Sequence, residues 1–525
     1  MHYCLSIPEI LHLIVENLDF EIQVPYRAGQ SRSKALAALA RTSRAFGDVA
    51  LDELWTHLVG LERILCCMPP DLFSGRRENR VSRLLRPMKA SDWDRPRIYM
   101  NRVKHLWVAG RRVARQNSNI FAALNGSFPA GEVESYFRRL RSVQWLTEHD
   151  LLNIRFLLSP RLNALSLDFP SSHTNFSFLS SIPLICPGLK ELGVNALGIF
   201  STFPDGPFIS ELTCGLHSLQ KLRIAIPDLT NFEHISRVKG LTSLECLLSN
   251  TLPMLFSPLS FDALEEVTVF NGNLDTIIDL FSRCSLPVLK RLKIHPSFGI
   301  TATGVDKLHK VLSRSCTPSS LTTLELTFDG DDEGGVEGED PELYTIPFRS
   351  FEPLFCFVNL TSFCIASKSG ICLNDEELEI IARTWPHLRH LTLWERVECL
   401  TLSLRSLSIL AEHCPLLESL TLTLDPESDP ELLTSNGHQP ISQLALHTLD
   451  VNRSPISAPT LFTGRFLSSI FPNLSVVTTD LDVSRIYLLE EDEDSELKEY
   501  HDLWKEVESQ LSVFKAIREE EKARV

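Results

Sequence analysis

Between residues 329 and 340 the chain has the spacing of a calcium-binding loop. Asp329, Asp331, Glu333, Gly334, Val336 and Asp340 fall at positions 1, 3, 5, 6, 8 and 12 of such a loop, in which carboxylate oxygens at fixed positions surround a hard dication. Position 12 is an aspartate where a bidentate glutamate is needed, and a strand pattern precedes the loop where a helix should. The expectation is a solvated acidic insertion, 329–342, and no metal site.

Other reactive residue types are dispersed. Of sixteen histidines, His387, His390 and His413 gather near one another without acidic partners at a ligand spacing, so they read as surface groups. Thirteen cysteines occur without a C-x-x-C pair, and Cys186, Cys284, Cys316 and Cys414 recur at one place in a repeat. They read as reduced core thiols in an intracellular protein. H-E-x-x-H, G-x-S-x-G, G-x-G-x-x-G and P-loop signatures are missing, and no RING or cysteine-ligase centre is visible. A hydrolase would need a pocket of convergent polar groups, and nothing marks one. The expectation is a protein with no catalytic centre and no cofactor.

A formal net charge of −16 argues against general nucleic-acid binding. The charge is uneven: residues 76–115 hold thirteen Lys/Arg against three acids, while 490–499 is nearly all acidic. Arg76, Arg77, Arg80 and Arg83 read as a solvated face, with nuclear import or an acidic partner as the other reading. No apolar run reaches the roughly 18–20 residues of a membrane span. Glu9 and Glu16 interrupt the N-terminal apolar stretch, so no secretory signal is expected and a cytoplasmic or nuclear location follows. Asn473 heads a formal glycosylation sequon, discounted because it falls at the start of a repeat strand.

What would position any functional group is a repeat. Leu378, Ile381, Ala382, Pro386, Leu388, Leu391, Thr392 and Leu393 recur 29 residues later as Leu407, Leu410, Ala411, Pro415, Leu417, Leu420, Thr421 and Leu422. Apolar residues three and four apart make a helix stripe, a proline ends it, and L-x-x-L-x-L alternates like a strand. The strand half recurs from Leu162/Leu165/Leu167 to Leu446/Leu449/Val451, with a worn copy at Leu474/Val477. Spacings run from 22 to 39 residues and cluster near 28. One such unit cannot bury its own apolar face, so copies stack. The expected fold is α/β: a leucine-rich-repeat solenoid over 159–485, with parallel strands on the concave face and helices on the convex face. An acidic segment and a helix over 486–525 follow. Leu497, Tyr500, Trp504, Val507, Leu511 and Phe514 line one seam of that helix, which would cap the last repeat.

Residues 5–58 depart from the repeat and read as three short helices with more apolar residues than a small core needs, which suggests docking. The runs Ile7-Pro8-Glu9-Ile10-Leu11, Leu18-Asp19, Ala38 to Phe46 and Leu51-Asp52-Glu53-Leu54-Trp55 resemble an F-box, in the form common among mushroom-forming fungi. Leu65 to Phe73, Arg86-Pro87 and Ser91 to Arg95 resemble the stretch that follows it in those proteins. The resemblance implies an F-box over 1–58, a helical connector with irregular first repeats over 59–158, and the solenoid beyond. It implies a substrate receptor of an SCF-type ubiquitin ligase. The F-box would dock a Skp-type adaptor and through it a cullin scaffold, and the repeats would hold an unidentified target protein. The chain would be a monomer within that complex, with the ubiquitin chemistry in a partner. Carried over by position, Ile7, Pro8, Ile10, Leu11, Ile14, Leu18, Leu54 and Trp55 would form or support the adaptor-facing surface. Arg41 and Arg44 would sit at its rim, and Leu39 and Phe46 would hold the module together. The alternative is a non-catalytic repeat scaffold acting outside a ubiquitin ligase.

On the strands, residues between the leucines point outward. Lys221, Arg223, Glu266, Arg291, Lys293 and His390 are such positions and form the candidate target surface. Two readings stay open: opposite charges on neighbouring strands neutralise one another, or Lys221, Arg223, Arg291 and Lys293 make a basic groove for an acidic or phosphorylated segment.

Overall fold

In the computed structural model the described residues are 7–16, 33–74, 83–109, 123–124, 126–127, 136–146, 151–169, 178–196, 212, 215–226, 230–248, 258–297, 300–328, 344–367, 370–394, 400–426, 442–482 and 495–524. The calcium-like loop 329–340, Leu18, and Arg76, Arg77 and Arg80 lie outside them. The chain forms two compact units, Met1–Pro227 and Asp228–Val525.

In the first unit a helix α1 (Pro8–Glu16) is followed by helical residues 33–39 and by α2 (Arg44–Thr56). Ser43 caps α2 by accepting from the Phe46 amide at 3.3 Å, satisfying one of the free N–H groups at the helix start. The last turn of α2 runs straight into a strand, β1 (His57–Val59). β1 pairs in parallel with β2 (His105–Ala109), and β3 (Ser142–Leu146), β4 (Ala164–Phe169), β5 (Glu191–Ala196) and β6 (Lys221–Ile226) continue the ladder. Leu58, Leu106, Val143, Leu165, Leu192 and Leu222 align in register as one buried row. Burial of each such side chain contributes about 1.5–3 kcal/mol.

The ladder therefore begins a hundred residues before the regular leucine pattern does. Val103/Leu106/Val108 and Leu140/Val143/Trp145 keep the strand spacing with valine and tryptophan in place of leucine. The connection between β1 and β2 carries α3 (Asp94–Met100) and a charged staple. Arg86 donates to both oxygens of the buried Asp92 at 2.8 and 2.9 Å and to Asp71 at 2.6 Å. That hydrogen bond holds the Asp71 carboxyl below its usual range, and the Arg86 bond does the same for Asp92.

In the second unit the strands β7 (Ser243–Leu248), β8 (Glu266–Phe270), β9 (Arg291–His295), β10 (Thr323–Phe328) and β11 (Ser362–Ser367) pair in parallel in that order. β12 (His390–Leu393), β13 (Ser419–Leu422), β14 (Thr448–Asp450) and β15 (Val476–Thr478) extend the same sheet. Alternate residues are buried, so Leu324, Phe363, Leu391, Leu420, Leu449 and Val477 form one inward row. At Gly272 the backbone turns with φ +86°, and a Cβ would come within 3.0 Å of Leu248, so only glycine fits.

Helices return the chain between strands: α4 (Leu274–Arg283), α5 (Ala302–Ser315), α6 (Asp375–Thr384), α7 (Leu404–His413) and α8 (Leu461–Ile470). Their starts follow local chemistry. Asn374 and Glu377 make a reciprocal capping box on α6, and Asp375, Glu376 and Glu377 favour its positive end. Asp375 also accepts from the Ser403 hydroxyl at 2.6 Å and amide at 3.1 Å, tying the start of α6 to the cap of α7. Leu378, Ile381 and Ala382, then Leu407, Leu410 and Ala411, face inward as their spacing predicts.

A last helix, α9 (Ser495–Arg524), packs against α8 and β15. Trp504 donates its indole N–H to the Ser454 carbonyl at 3.0 Å, and Lys505 donates to Val477 O at 2.8 Å. Glu508 accepts from the Val477 amide at 3.3 Å, so backbone groups at the edge of β15 are occupied. Trp504, Val507 and Leu511 are buried, the centre of the predicted seam.

Candidate interaction surfaces

The N-terminal helices divide the expected docking residues in two. Leu11 is 3% exposed and Trp55 is buried with its ring stacked on Tyr99 at 4.8 Å. These two pack the module, because α1 lies against α2 and α2 against the start of the ladder. Leu13 at 57% and Ile14 at 36% face solvent, with Ile7, Ile10 and Leu54 partly exposed. Leu13 belongs to the apolar surface that the sequence gives this helix, with Ile10, Leu11, Ile14 and Leu18, but is not among the positions carried over from the resemblance. Arg41 and Arg44 are exposed, and Arg41 Nε donates to the Ala37 carbonyl at 3.2 Å.

A charged clamp joins this module to the ladder. The Arg102 guanidinium donates to Asp52, to Asp48 at 2.8 Å and to the Asp48 carbonyl at 3.1 Å, while Arg139 reaches Asp52 at 2.9 Å. Burial works to raise the Asp52 pKa, but the two arginines outweigh it and hold the carboxyl below its usual range.

On the outer face of the second unit's sheet, the expected cations are matched by carboxylates. Arg291 pairs with Glu266 on β8, and Lys293 with Glu325 on β10. Lys290 lies 2.9 Å from Glu265, and Arg389 2.5 Å from Glu418. His295 lies 3.9 Å from Glu325 and its ring stacks on Phe270 at 4.9 Å. The strip at Arg291 and Lys293 is therefore charge-alternating where a basic groove was one of the two expectations. Each exposed pair contributes about 0.2–1 kcal/mol. His390 stands exposed on β12 among Ser362, Thr392 and Ser419. In the first unit Lys221 lies 3.2 Å from Glu191.

The buried titratable groups serve packing. His309 on α5 is fully buried, and its Nδ1–H donates to the Ser350 carbonyl at 2.5 Å. Burial pushes its pKa down to about 4, so the ring is neutral. Burial pushes the thiols of Cys186, Cys284, Cys316 and Cys414 up, so they are protonated and unreactive. His413 lies 3.9 Å from Glu379 and accepts from Arg383, a partner one repeat back that linear spacing does not reveal. Among the described residues no group of three or more His, Cys, Asp or Glu is placed to hold a metal, and no helix is long and apolar enough to cross a membrane. Asn473 donates its amide to Leu444 O at 2.8 Å within the repeat.

No protein-family model matches the chain, and no curated protein does. Similar solved structures include the Rad7 and Elc1 complex of yeast, at 14% identity, 70% of this chain, 88% of that chain and a TM-score of 0.31. An internalin, inlF, of Listeria monocytogenes matches at 13% identity over 85% of this chain and 93% of its own, with a TM-score of 0.33. A TLR13–ssRNA13 complex matches at 15% identity over 66% and 43%, also with a TM-score of 0.33. Likeness at this level bears on neither activity nor partners.

Proposed function

We propose that this chain is the target-recognition subunit of an SCF-type ubiquitin ligase. In this reading α1 and α2 dock a Skp-type adaptor, which joins the chain to a cullin scaffold, and the outer faces of the parallel sheets hold a target protein. The chain supplies no catalysis of its own, and it works as a monomer within the assembly, in the cytoplasm or nucleus.

The observation that carries the reading is the exposed apolar surface of α1. Leu13 and Ile14 face solvent on a helix only nine residues long, beside the partly exposed Ile7 and Ile10. Aliphatic side chains clustered on so small a module are a docking surface in the making. They occupy the stretch whose sequence resembles an F-box. Arg41 and Arg44 would meet acidic groups at the rim, while Leu11 and Trp55 keep the helices in place.

The test is capture of a purified Skp-type adaptor by the full chain and by the Leu13→Glu, Ile14→Glu double variant. The reading expects capture by the parent and loss in the variant, with the thermal unfolding of the two alike. Equal capture by both, or none by the parent, would point to a scaffold acting outside a ubiquitin ligase.

A further inference from the structure

The parallel sheet of the first unit begins with a strand whose far edge is open. Just before β1 the Thr56 carbonyl accepts from the Lys104 amide at 3.0 Å, and just after it the Gly60 amide donates to the Trp107 carbonyl at 2.8 Å. Successive residues of a strand turn their N–H and C=O groups to opposite sides. Thr56, Leu58 and Gly60 therefore face β2, and His57 and Val59 aim theirs at the outer edge. Among the described residues no backbone hydrogen bond reaches His57 or Val59 there. Both residues are exposed, Val59 at 64%.

The last strand of the second unit shows how this chain closes an edge with its own residues. There Lys505 and Glu508 of α9 take the carbonyl and the amide of Val477. No described residue covers β1 in this way. Instead a cavity of about 460 Å³ opens beside it, lined by Trp55, Val59, Glu62, Arg63 and Cys66. Val59 is thus both an edge residue and a wall of the cavity. Glu62 and Cys66, four apart on the short helix Glu62–Cys66, share one of its faces. Trp55 supplies an apolar wall from the last turn of α2, fixed by its stack on Tyr99.

We propose that this edge takes up a short extended segment of a partner polypeptide as a further strand, with one bulky apolar side chain of the segment in the cavity beside Val59. Open amides and carbonyls along a strand are a template for such pairing. The occupant must bring free backbone groups in extended form. A helix, whose N–H and C=O groups are bonded internally, does not. A second copy of this chain fits less well, because contact between two three-residue strands falls far short of the roughly 1,200 Å² that a stable interface buries. A linear segment needs less: backbone bonds give it affinity and one filled pocket gives it specificity. Residues in register on neighbouring strands point the same way, so the segment residue opposite Val59 shares its outward direction and reaches the cavity. Glu62 and Arg63 carry opposite charges on the cavity wall, which favours a segment with uncharged polar residues around that anchor.

The proposal goes beyond adaptor docking and target holding on the sheet faces, and its assay contains no adaptor, so the two readings fail separately. The probes are fluorescein-labelled heptapeptides of serine and threonine with leucine, phenylalanine or tryptophan at the centre, titrated by anisotropy into the full chain. Controls are the peptide with a central serine, and the tightest-binding peptide N-methylated on either set of alternate amides. One set would face β1 and the other solvent, so methylation should weaken binding at least about tenfold for one set and spare it for the other. Cys66→Trp, which fills the cavity, should weaken binding comparably, and Lys290→Glu in the second unit should leave it unchanged. Thermal unfolding like the parent's separates lost binding from lost fold, and Val59→Lys at the exposed edge takes the place of Cys66→Trp if that variant does not fold. Light scattering of the full chain alone should report a monomer. No binding by any of the three apolar-centred peptides, equal binding of the central-serine peptide, equal effects of the two methylated sets, indifference to the cavity or edge variant, or a dimer abolished by that variant would each overturn the proposal.

Discussion

Arg102 grips Asp52 across fifty residues of chain, with Arg139 on the other carboxylate oxygen. Asp52 sits on α2 and Arg102 just before β2, so the clamp fastens the N-terminal helices to the first strands. Asp52→Ala leaves two arginines without their shared partner and should cost about 1–3 kcal/mol. The depressed Asp52 pKa sets the sign with pH: the contribution is full above the ordinary carboxylate range and is lost as pH falls through the lower folded value. Chemical unfolding of parent and variant at neutral and acid pH checks this; equal stability at neutral pH would mean the clamp is incidental.

His309 provides a second pH prediction. Its folded pKa is about 4, and the ordinary value is 6.5. A group that binds its proton better when unfolded stabilises the fold fully above the ordinary value, and that stability drains away as pH falls from 6.5 toward 4. The difference is on the order of 3 kcal/mol. Asp450, whose pKa is raised by burial, acts in the opposite direction, so the comparison needs a variant. His309→Leu should flatten the unfolding free energy over this window relative to the parent. An unchanged slope would mean the ring is not the titrating group.

Capping of the final strand rests on Trp504, buried on α9 with its N–H on Ser454. Trp504→Ala should cost about 3–5 kcal/mol and expose the edge of β15 to other chains. Light scattering during thermal unfolding should show earlier onset of association than the parent. Identical onset would argue that α9 adds nothing to the edge.

Cross-strand pairing predicts a rescue. Lys293→Glu places like charges against Glu325 and should destabilise by about 0.2–1 kcal/mol, and adding Glu325→Lys should restore it. Additive losses in the double variant would show that the two side chains do not interact.

Much of the architecture was legible because burial repeats. Leu391 and Leu420 each recur after a helix stripe and a proline, and both occupy the inward row in register. β2 and β3 escaped that reading because Val103, Val108 and Trp145 replace leucines and long insertions stretch the period. The candidate surfaces were less legible. Whether Arg291 faces a carboxylate depends on how the strand before it aligns, which linear spacing does not state. Leu11 and Leu13 are alike as residues, and only the seat of α1 against α2 puts one inside and the other in solvent.

Amide hydrogen exchange on the full chain, with and without a saturating Skp-type adaptor, tests the two-surface account most directly. Protection should appear over residues 7–15 of α1 and along α2, with the strands β7 to β15 unchanged. No protection in α1, or protection confined to the sheet faces, would contradict it.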